Sequence, residues 1–471
     1  MNPLHTHQAL LAAASRRAVA KTSRRHVHLS PRPMVLVGYH LAGDLGAPLA
    51  LMWSTSRHEE PRCVVVTEPR NRELRFEALA EFAAEFLAYL ARFEARDEAG
   101  VCVEAPQLIV PNGATAEWLG GIVGRFTRNL RADGDPPAPS SVPLAGKHLS
   151  FLADLMPGSS LVLAATDALT THWQTGQLPS EDLNLAALLA WIDPPGGMDG
   201  PQAAREGEAS PPAGPDSDPN WDADVLAELI QDWHAANDQA AQSAVRRELE
   251  AEIREQLAPG WGDCWRALDC LESLPVADHV ASRWEYDRRS WSKHCDRIAQ
   301  GRAYFRNIPT PVQGAIRLKM LEDRTEELHR EMAWDDSLVM AAEVASGEAL
   351  AGRMVAADLQ RRSQNANGRR VRRPLIAIEP TIEFARPAGT TLFLSTAPGV
   401  RLEVLPSDAS GLIRLEVLSG AVQNTTIGLL PNVGDEVILS PFGRSEFYRR
   451  PMVEEIPWTH QQIVDNPEES E

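Results

Sequence analysis

Long apolar runs are missing from this 471-residue chain, and nowhere do eighteen uncharged apolar residues follow one another. The nearest approach, Leu161 to Leu169, is interrupted by Thr166 and Asp167 and is too short to cross a bilayer. No membrane partner is expected. Cysteine is scarce as well: Cys63, Cys102, Cys264, Cys270 and Cys295 are odd in number, scattered, and preceded by no signal peptide. Such a set makes no disulfide framework, so a reducing, cytoplasmic location is expected. The common catalytic fingerprints are also absent. There is no Gly-x-Ser-x-Gly elbow, no Gly-x-x-x-x-Gly-Lys-Ser/Thr loop and no Gly-x-Gly-x-x-Gly after a strand. No cofactor is implied, and any energy coupling has to come from a partner. Positive charge is short too, with 46 Lys and Arg against 65 Asp and Glu and a formal charge of −19. A uniformly acidic body repels a duplex, so any nucleic-acid contact must come from a local patch.

What is present is enough for several cores, since the length exceeds that of one ordinary domain and 44% of the residues are hydrophobic. The Ala-, Arg-, Gly-, Pro- and Trp-rich usage is that of a GC-rich bacterial genome. Residues 1–32 contain no acid and carry Arg16, Arg17, Lys21, Arg24 and Arg25. They suit a disordered basic arm, a misassigned start or an organelle presequence. A mixed α/β pattern over 33–193 ends at Asp193-Pro194-Pro195-Gly196-Gly197. The following stretch, 194–220, has Pro211, Pro212, Pro215 and Pro219 and few apolar residues, and is predicted to be a flexible linker. Helical spacing then runs through 221–346, with Val225, Leu226, Leu229, Ile230 and Trp233 on one stripe and a stop expected at Pro259-Gly260. From 347 to 458 the period becomes two. Short strands around Ile376, Phe393, Val404, Leu415 and Ile438 predict a small closed or nearly closed β-barrel. An acidic tail, 459–471, completes the chain. The fold class is therefore multi-domain α+β.

Within the first domain the segments Met34–His40, Pro48–Trp53 and Cys63–Val66 read as three strands joined as hairpins. A helix from Arg72 to Phe93, a strand Gln107–Val110 and a helix from Ala114 follow. This βββ-α-β-α order resembles the ribonuclease H-like fold over roughly residues 33–150. The resemblance implies a two-metal site held by carboxylates on the first strand, the first helix and the end of the fourth strand, because two cations must clamp the attacking and leaving oxygens of a phosphodiester. Glu77, or Glu73 one turn earlier, fills the helix position. The first strand instead offers Gly38, Tyr39 and His40, and the fourth ends in Asn112. Hard cations prefer anionic oxygen, so the resemblance implies a degenerate active site. Glu73, Glu77, Glu81 and Glu85, spaced by four, also suit an ordinary solvated helix face. An active metal-dependent nuclease with a non-standard acid arrangement would draw on Asp44, Glu68, Glu77 and Glu117.

One stretch gathers cations. Arg361, Arg362, Arg369, Arg370, Arg372 and Arg373 flank Asn367-Gly368, a strong hairpin-turn signal. Arginine forks pair with phosphate oxygens bidentately and without base specificity, so these six are the candidate nucleic-acid-binding residues. The alternative is a solvated or internally neutralised loop. Exposed aromatics that could stack on bases are few, with Phe442, Phe447 and Tyr448 the candidates beside Phe393, which suits the core. Trp284 and Trp291, seven apart with Arg288 between them, could form a partner-docking ridge, or simply core. Cys264, Cys270, His279, His294 and Cys295 lack Cys-x-x-Cys spacing and predict no metal site.

The combined expectation is a non-enzymatic accessory protein that contacts nucleic acid through a basic hairpin and supports a partner ATPase, helicase or nuclease. The alternatives are the metal-dependent nuclease above and a purely structural protein scaffold.

Overall fold

The computed structural model describes residues 2–303, 310–364, 368–406 and 410–443. Two compact units emerge, one spanning Ala9–Ile308 and the other joining Met1–Gln8 to Pro309–Glu471. The expected boundaries at 193 and 220 fall inside the first unit. Asn367 of the expected turn, Phe447, Tyr448 and the acidic tail lie outside the described residues.

The basic leading segment is folded, contrary to the disordered arm expected of it. Helix α1 (Pro3–Ser15) leads into strand β1 (Val19–Ala20), which pairs with β7 (Trp173–Gln174). Its cations find acceptors far along the chain. Arg16 forks onto Asp199 (2.6 and 3.1 Å), Lys21 Nζ donates to Thr170 O (2.7 Å), and Arg24 pairs with Asp278 (3.3 Å). A local reading of charge cannot see partners 149 to 254 residues away.

Strands β2 (Met34–Leu41), β3 (Asp44–Ser54), β4 (Arg62–Val65), β5 (Leu108–Val110) and β6 (Val162–Ala164) form one sheet in the order β4-β3-β2-β5-β6. The first three pair antiparallel; β5 joins β2 in parallel, and β6 joins β5. Strand β2 is buried along nearly its whole length, as a strand covered on both faces must be. Alternate residues serve opposite layers. Met34, Leu36 and Leu51 pack against Phe82 and Phe86 of helix α2 (Arg72–Ala91), whereas Val35, Val37 and Met52 pack on the other side.

That other side is the work of the region expected to be a separate helical domain. Helices α3 (Gly113–Glu117), α4 (Ser141–Leu152), α5 (Ala165–His172), α6 (Leu185–Ile192), α7 (Gly200–Glu208) and α8 (Ala227–Ala235) precede α9 (Gln239–Glu272). Leu249, Ile253, Leu257 and Leu268 of α9 cover the sheet's second face. Helix α9 also runs through Pro259-Gly260, where a stop was expected. The bare Cα of Gly260 lets Ala213 approach, since a Cβ there would sit 2.9 Å from Ala213 Cα. Helix α10 (Val280–Ala299) returns to the first face through Trp284 and Trp291.

The stretch read as a linker is ordered and packed. Asp199 caps α7, whose Ala203 and Ala204 are buried against Trp191. Beyond it, residues 214–217 lie along the part of the β2 edge that the short strand β5, paired only with Met34 and Val35, leaves open. His40 N donates to Pro215 O (2.8 Å), and Ser217 N donates back to His40 O (3.4 Å). Few apolar side chains are needed when the contact is backbone to backbone.

In the second unit, α11 (Pro311–Asp335) starts with a capping box between Thr310 and Gln313, and α12 (Ser337–Ala345) follows. Strand β8 (Leu350–Asp358) precedes a hairpin of β9 (Arg362–Gln364) and β10 (Arg370–Arg372). Strands β11 (Leu375–Pro380), β12 (Thr391–Leu394), β13 (Ala397–Val404), β14 (Ile413–Ser419) and β15 (Glu436–Ser440) close with β8 into a barrel ordered β11-β14-β13-β12-β15-β8. The closed barrel expected from the sequence is present, filled by alternate residues such as Ile376, Ile378, Leu402, Leu415 and Val417. Closure leaves no unpaired edge. No described helix is long and apolar enough to cross a membrane.

Candidate functional site

At the carboxyl end of β2 the geometry leaves no room for the expected acid. A Cβ on Gly38 would stand 2.7 Å from Leu51 Cδ2 and 2.9 Å from Ala50 O. His40 is fully buried, tilts on the Trp118 ring at 5.5 Å, and holds Nδ1 2.9 Å from Leu41 O and 3.5 Å from Asp216 Oδ1. The neighbouring Tyr39 hydroxyl donates to Pro212 O and lies 3.1 Å from Gln256 O. At the end of β5, Asn112 accepts from Thr115 N (2.8 Å) and Thr115 Oγ1 (2.9 Å), while its Nδ2 donates to Gly214 O (2.7 Å). An aspartate could not supply that donor. Gly214 itself has φ +102°, and a Cβ there would lie 2.5 Å from Gly38 O. The packed segment 214–217 thus lies against His40, in the stretch of β2 where the resemblance implies the first-strand acid.

The candidate acids are dispersed. Asp44 begins β3 and pairs with Arg70 (3.2 Å), and Glu68 accepts from Trp233 Nε1 (3.2 Å). Glu73, Glu77 and Glu117 are exposed on their helices. Among the described residues no group of three or more His, Cys, Asp or Glu side chains could hold a metal ion. The acid arrangement required by the nuclease alternative is not assembled there.

The tryptophan ridge is core rather than a docking surface. Trp284 is 7% and Trp291 1% exposed; His28 stacks on Trp284 at 3.9 Å, and Trp291 Nε1 donates to Phe93 O (3.1 Å). Arg288 between them donates to Cys102 O (2.9 Å) and pairs with Glu285 (2.7 Å) and Asp97 (3.3 Å). A spacing of seven marks one helix face and does not say whether that face meets solvent. Nearby, His294 Nε2 lies 3.0 Å from Nδ1 of His148, a pairing across 146 residues that no local motif announces. Burial, with Lys147 beside it, lowers His148 to about 4; burial, His148 and Arg297 lower His294 to about 3. Burial likewise raises the thiols, Cys270 to about 11 and Cys63 and Cys295 to about 12, with Cys264 also raised. Neutral thiols are poor nucleophiles and poor metal ligands.

The arginine hairpin has two distinct faces, as the two-residue period of a strand requires. On one face Arg361 pairs with Glu416, Ser363 Oγ donates to Glu416 Oε1 (3.3 Å), and Arg373 donates to Leu418 O. That face is tied to the barrel and partly neutralised. The other face carries Arg362 directly opposite Arg372, and Gln364 opposite Arg370. Arg372 is braced by Leu359 O (2.7 Å) and Asn424 Oδ1 (2.6 Å). Arg362 and Arg370 are exposed and make no ion pair among the described residues, and Arg369, at the start of β10, is exposed as well. No family model matches the chain, and neither a curated protein nor a solved structure matches it.

Proposed function

We propose that the chain is a non-enzymatic accessory protein. In this reading roughly residues 33–150, within its first unit, have a ribonuclease H-like fold without a metal site. The hairpin β9–β10 contacts the phosphate backbone of a nucleic acid and supports a partner ATPase, helicase or nuclease. The strand order β4-β3-β2-β5-β6, with three antiparallel strands and then two parallel ones, supports the fold reading. Gly38, Asn112 and the segment laid across them support the loss of metal chemistry.

The observation that carries the proposal is the cross-strand pair Arg362 and Arg372, with Arg370 on the same outward face. Like charges directly opposite one another destabilise a ladder, and a polyanion relieves that repulsion. Contacts of this kind position a backbone without reading bases, so single- and double-stranded probes of any sequence serve. A fluorescence-anisotropy titration of DNA and RNA at several salt concentrations tests it. Wild type should bind with salt-sensitive affinity. Arg362→Ala/Arg370→Ala should weaken binding on every sequence and flatten the salt slope by about two. No affinity at low salt, or a double variant indistinguishable from wild type, would remove the proposal.

A further inference from the structure

We propose that the cleft between the start of α2 and the helical segment after α3 binds a small amphipathic anion, an apolar body carrying a carboxylate or phosphate head. The cleft encloses about 500 Å³, within the range of small-molecule sites. Leu79 and Val123 form its buried wall, and the half-buried Phe76, Ile122 and Leu130 continue it. Phe126 stands beside them with 59% of its surface exposed, apolar area that an apolar ligand would remove from water. Part of the wall comes from a π-helical segment, Trp118–Gly124, a geometry that costs helix regularity and recurs at functional sites.

The polar lining is net positive once its internal pairs are removed, two arginines against one carboxylate. Arg131 is neutralised by both oxygens of Asp133 at 2.8 Å, and Asp44 is engaged by Arg70. Arg72 and Arg75 remain, with Asp135 the lining carboxylate among the described residues. Arg72 is exposed and makes no ion pair among the described residues. Arg75 donates one amino group to Gly46 O, but its Nε is buried without an acceptor among the described residues. Burial and the neighbouring Arg72 lower its pKa, so the cation is poorly solvated where it stands. A buried unsatisfied donor is costly, and a guanidinium fork matches the paired oxygens of a carboxylate or phosphate. An anionic head supplies the missing acceptor and separates two like charges, whereas a neutral or cationic ligand of the same length does neither.

Isothermal titration of the full chain with decanoate and with decyl phosphate tests the site, with 1-decanol and decyltrimethylammonium as head-group controls. At least one anion should saturate at one per chain, and the controls should not. Arg72→Glu and, separately, Phe126→Asp should each weaken that binding by roughly tenfold or more while circular dichroism stays unchanged. If neither anion saturates, if decanol binds as well as they do, or if both folded variants bind like wild type, the proposal is overturned.

Discussion

Asn112, at the top of the amino-terminal sheet, uses both ends of its amide on Thr115 and Gly214, while Arg362, on the barrel's hairpin, faces Arg372 with no counter-ion among the described residues. The first arrangement closes a polar edge on itself. The second leaves charge unresolved at the surface. A half-buried polar group whose amide already donates and accepts within the fold contributes to folding. A like-charge pair held in register by a hairpin gains from an external anion instead. The comparison therefore separates a sheet edge whose polar groups are satisfied within the fold from a hairpin whose outward charges are not, and the proposed phosphate contact rests on that difference.

Acid separates the units most strongly, because three histidines of the first unit are shifted down and His329 of the second is shifted up. In the first unit burial is the main cause that lowers His28 and His148 to about 4 and His294 to about 3, with Arg25, Lys147, and His148 and Arg297 adding to it respectively. The unfolded chain binds protons near pH 6.5 that the folded unit refuses, so stability falls as pH drops from about 6.5 toward 4. Each group adds at most about 1.4 kcal/mol per pH unit in that window. In the second unit His329 is raised, chiefly by its hydrogen bond to Glu343, 3.2 Å away. Its contribution is present below the unfolded value and disappears as pH rises through the folded one. Urea melts at about pH 7.5 and 5.0 should show the tryptophan-rich first unit weakening in acid. His148→Gln should flatten that dependence, and a flat profile in wild type would mean that these rings are accessible to protons after all.

The sheet edge can be challenged next by restoring the acid that the ribonuclease H resemblance expects. Gly38→Asp puts a carboxylate where a Cβ already meets Leu51 and Ala50 O below 3 Å. Overpacking and an unpaired buried charge together predict a loss of about 3–5 kcal/mol, read as a lower urea midpoint, with no manganese binding by calorimetry. A folded variant that binds manganese would show an open metal site behind residues 214–217 and would erase the contrast with the hairpin.

Legibility followed the range of the interactions. The barrel was readable because alternation in Leu402, Val404, Leu415 and Val417 is a property of each strand alone. Strands β2 to β5 and helix α2 were readable for the same reason, but β6, three residues long, was lost inside the run Leu161–Leu169. What α9 and α10 pack against could not be read, since an amphipathic stripe fixes a face and not its partner. The docking of 214–217 was hidden because glycine and proline signal a loop whether or not its backbone finds an edge. Among the candidate residues, the hairpin is legible from Asn367-Gly368, but a two-residue turn there pairs Arg362 with Arg373, one residue off the observed pairing of Arg362 with Arg372 that puts Arg362 and Arg370 on one face. The burial of Trp284 and Trp291, and the cleft around Arg75, depend on elements far apart in sequence.

The smallest effect sharpens the comparison most directly. If Arg362 serves a ligand rather than the fold, replacing it should leave the barrel intact or slightly firmer. Arg362→Thr removes the repulsion with Arg372 and places a β-branched residue on an exposed strand, predicting a gain of about 0.2–0.5 kcal/mol. Arg361→Ala, by contrast, breaks the pair with Glu416 on the inward face and should cost roughly 0.5–1 kcal/mol. Urea melts of the two variants side by side resolve that sign difference, and salt-dependent anisotropy should move mainly with Arg362. A hairpin on which both substitutions destabilise alike would be a structural brace on both faces. Its outward arginines would then be no more available to a phosphate backbone than the sheet edge is to a metal.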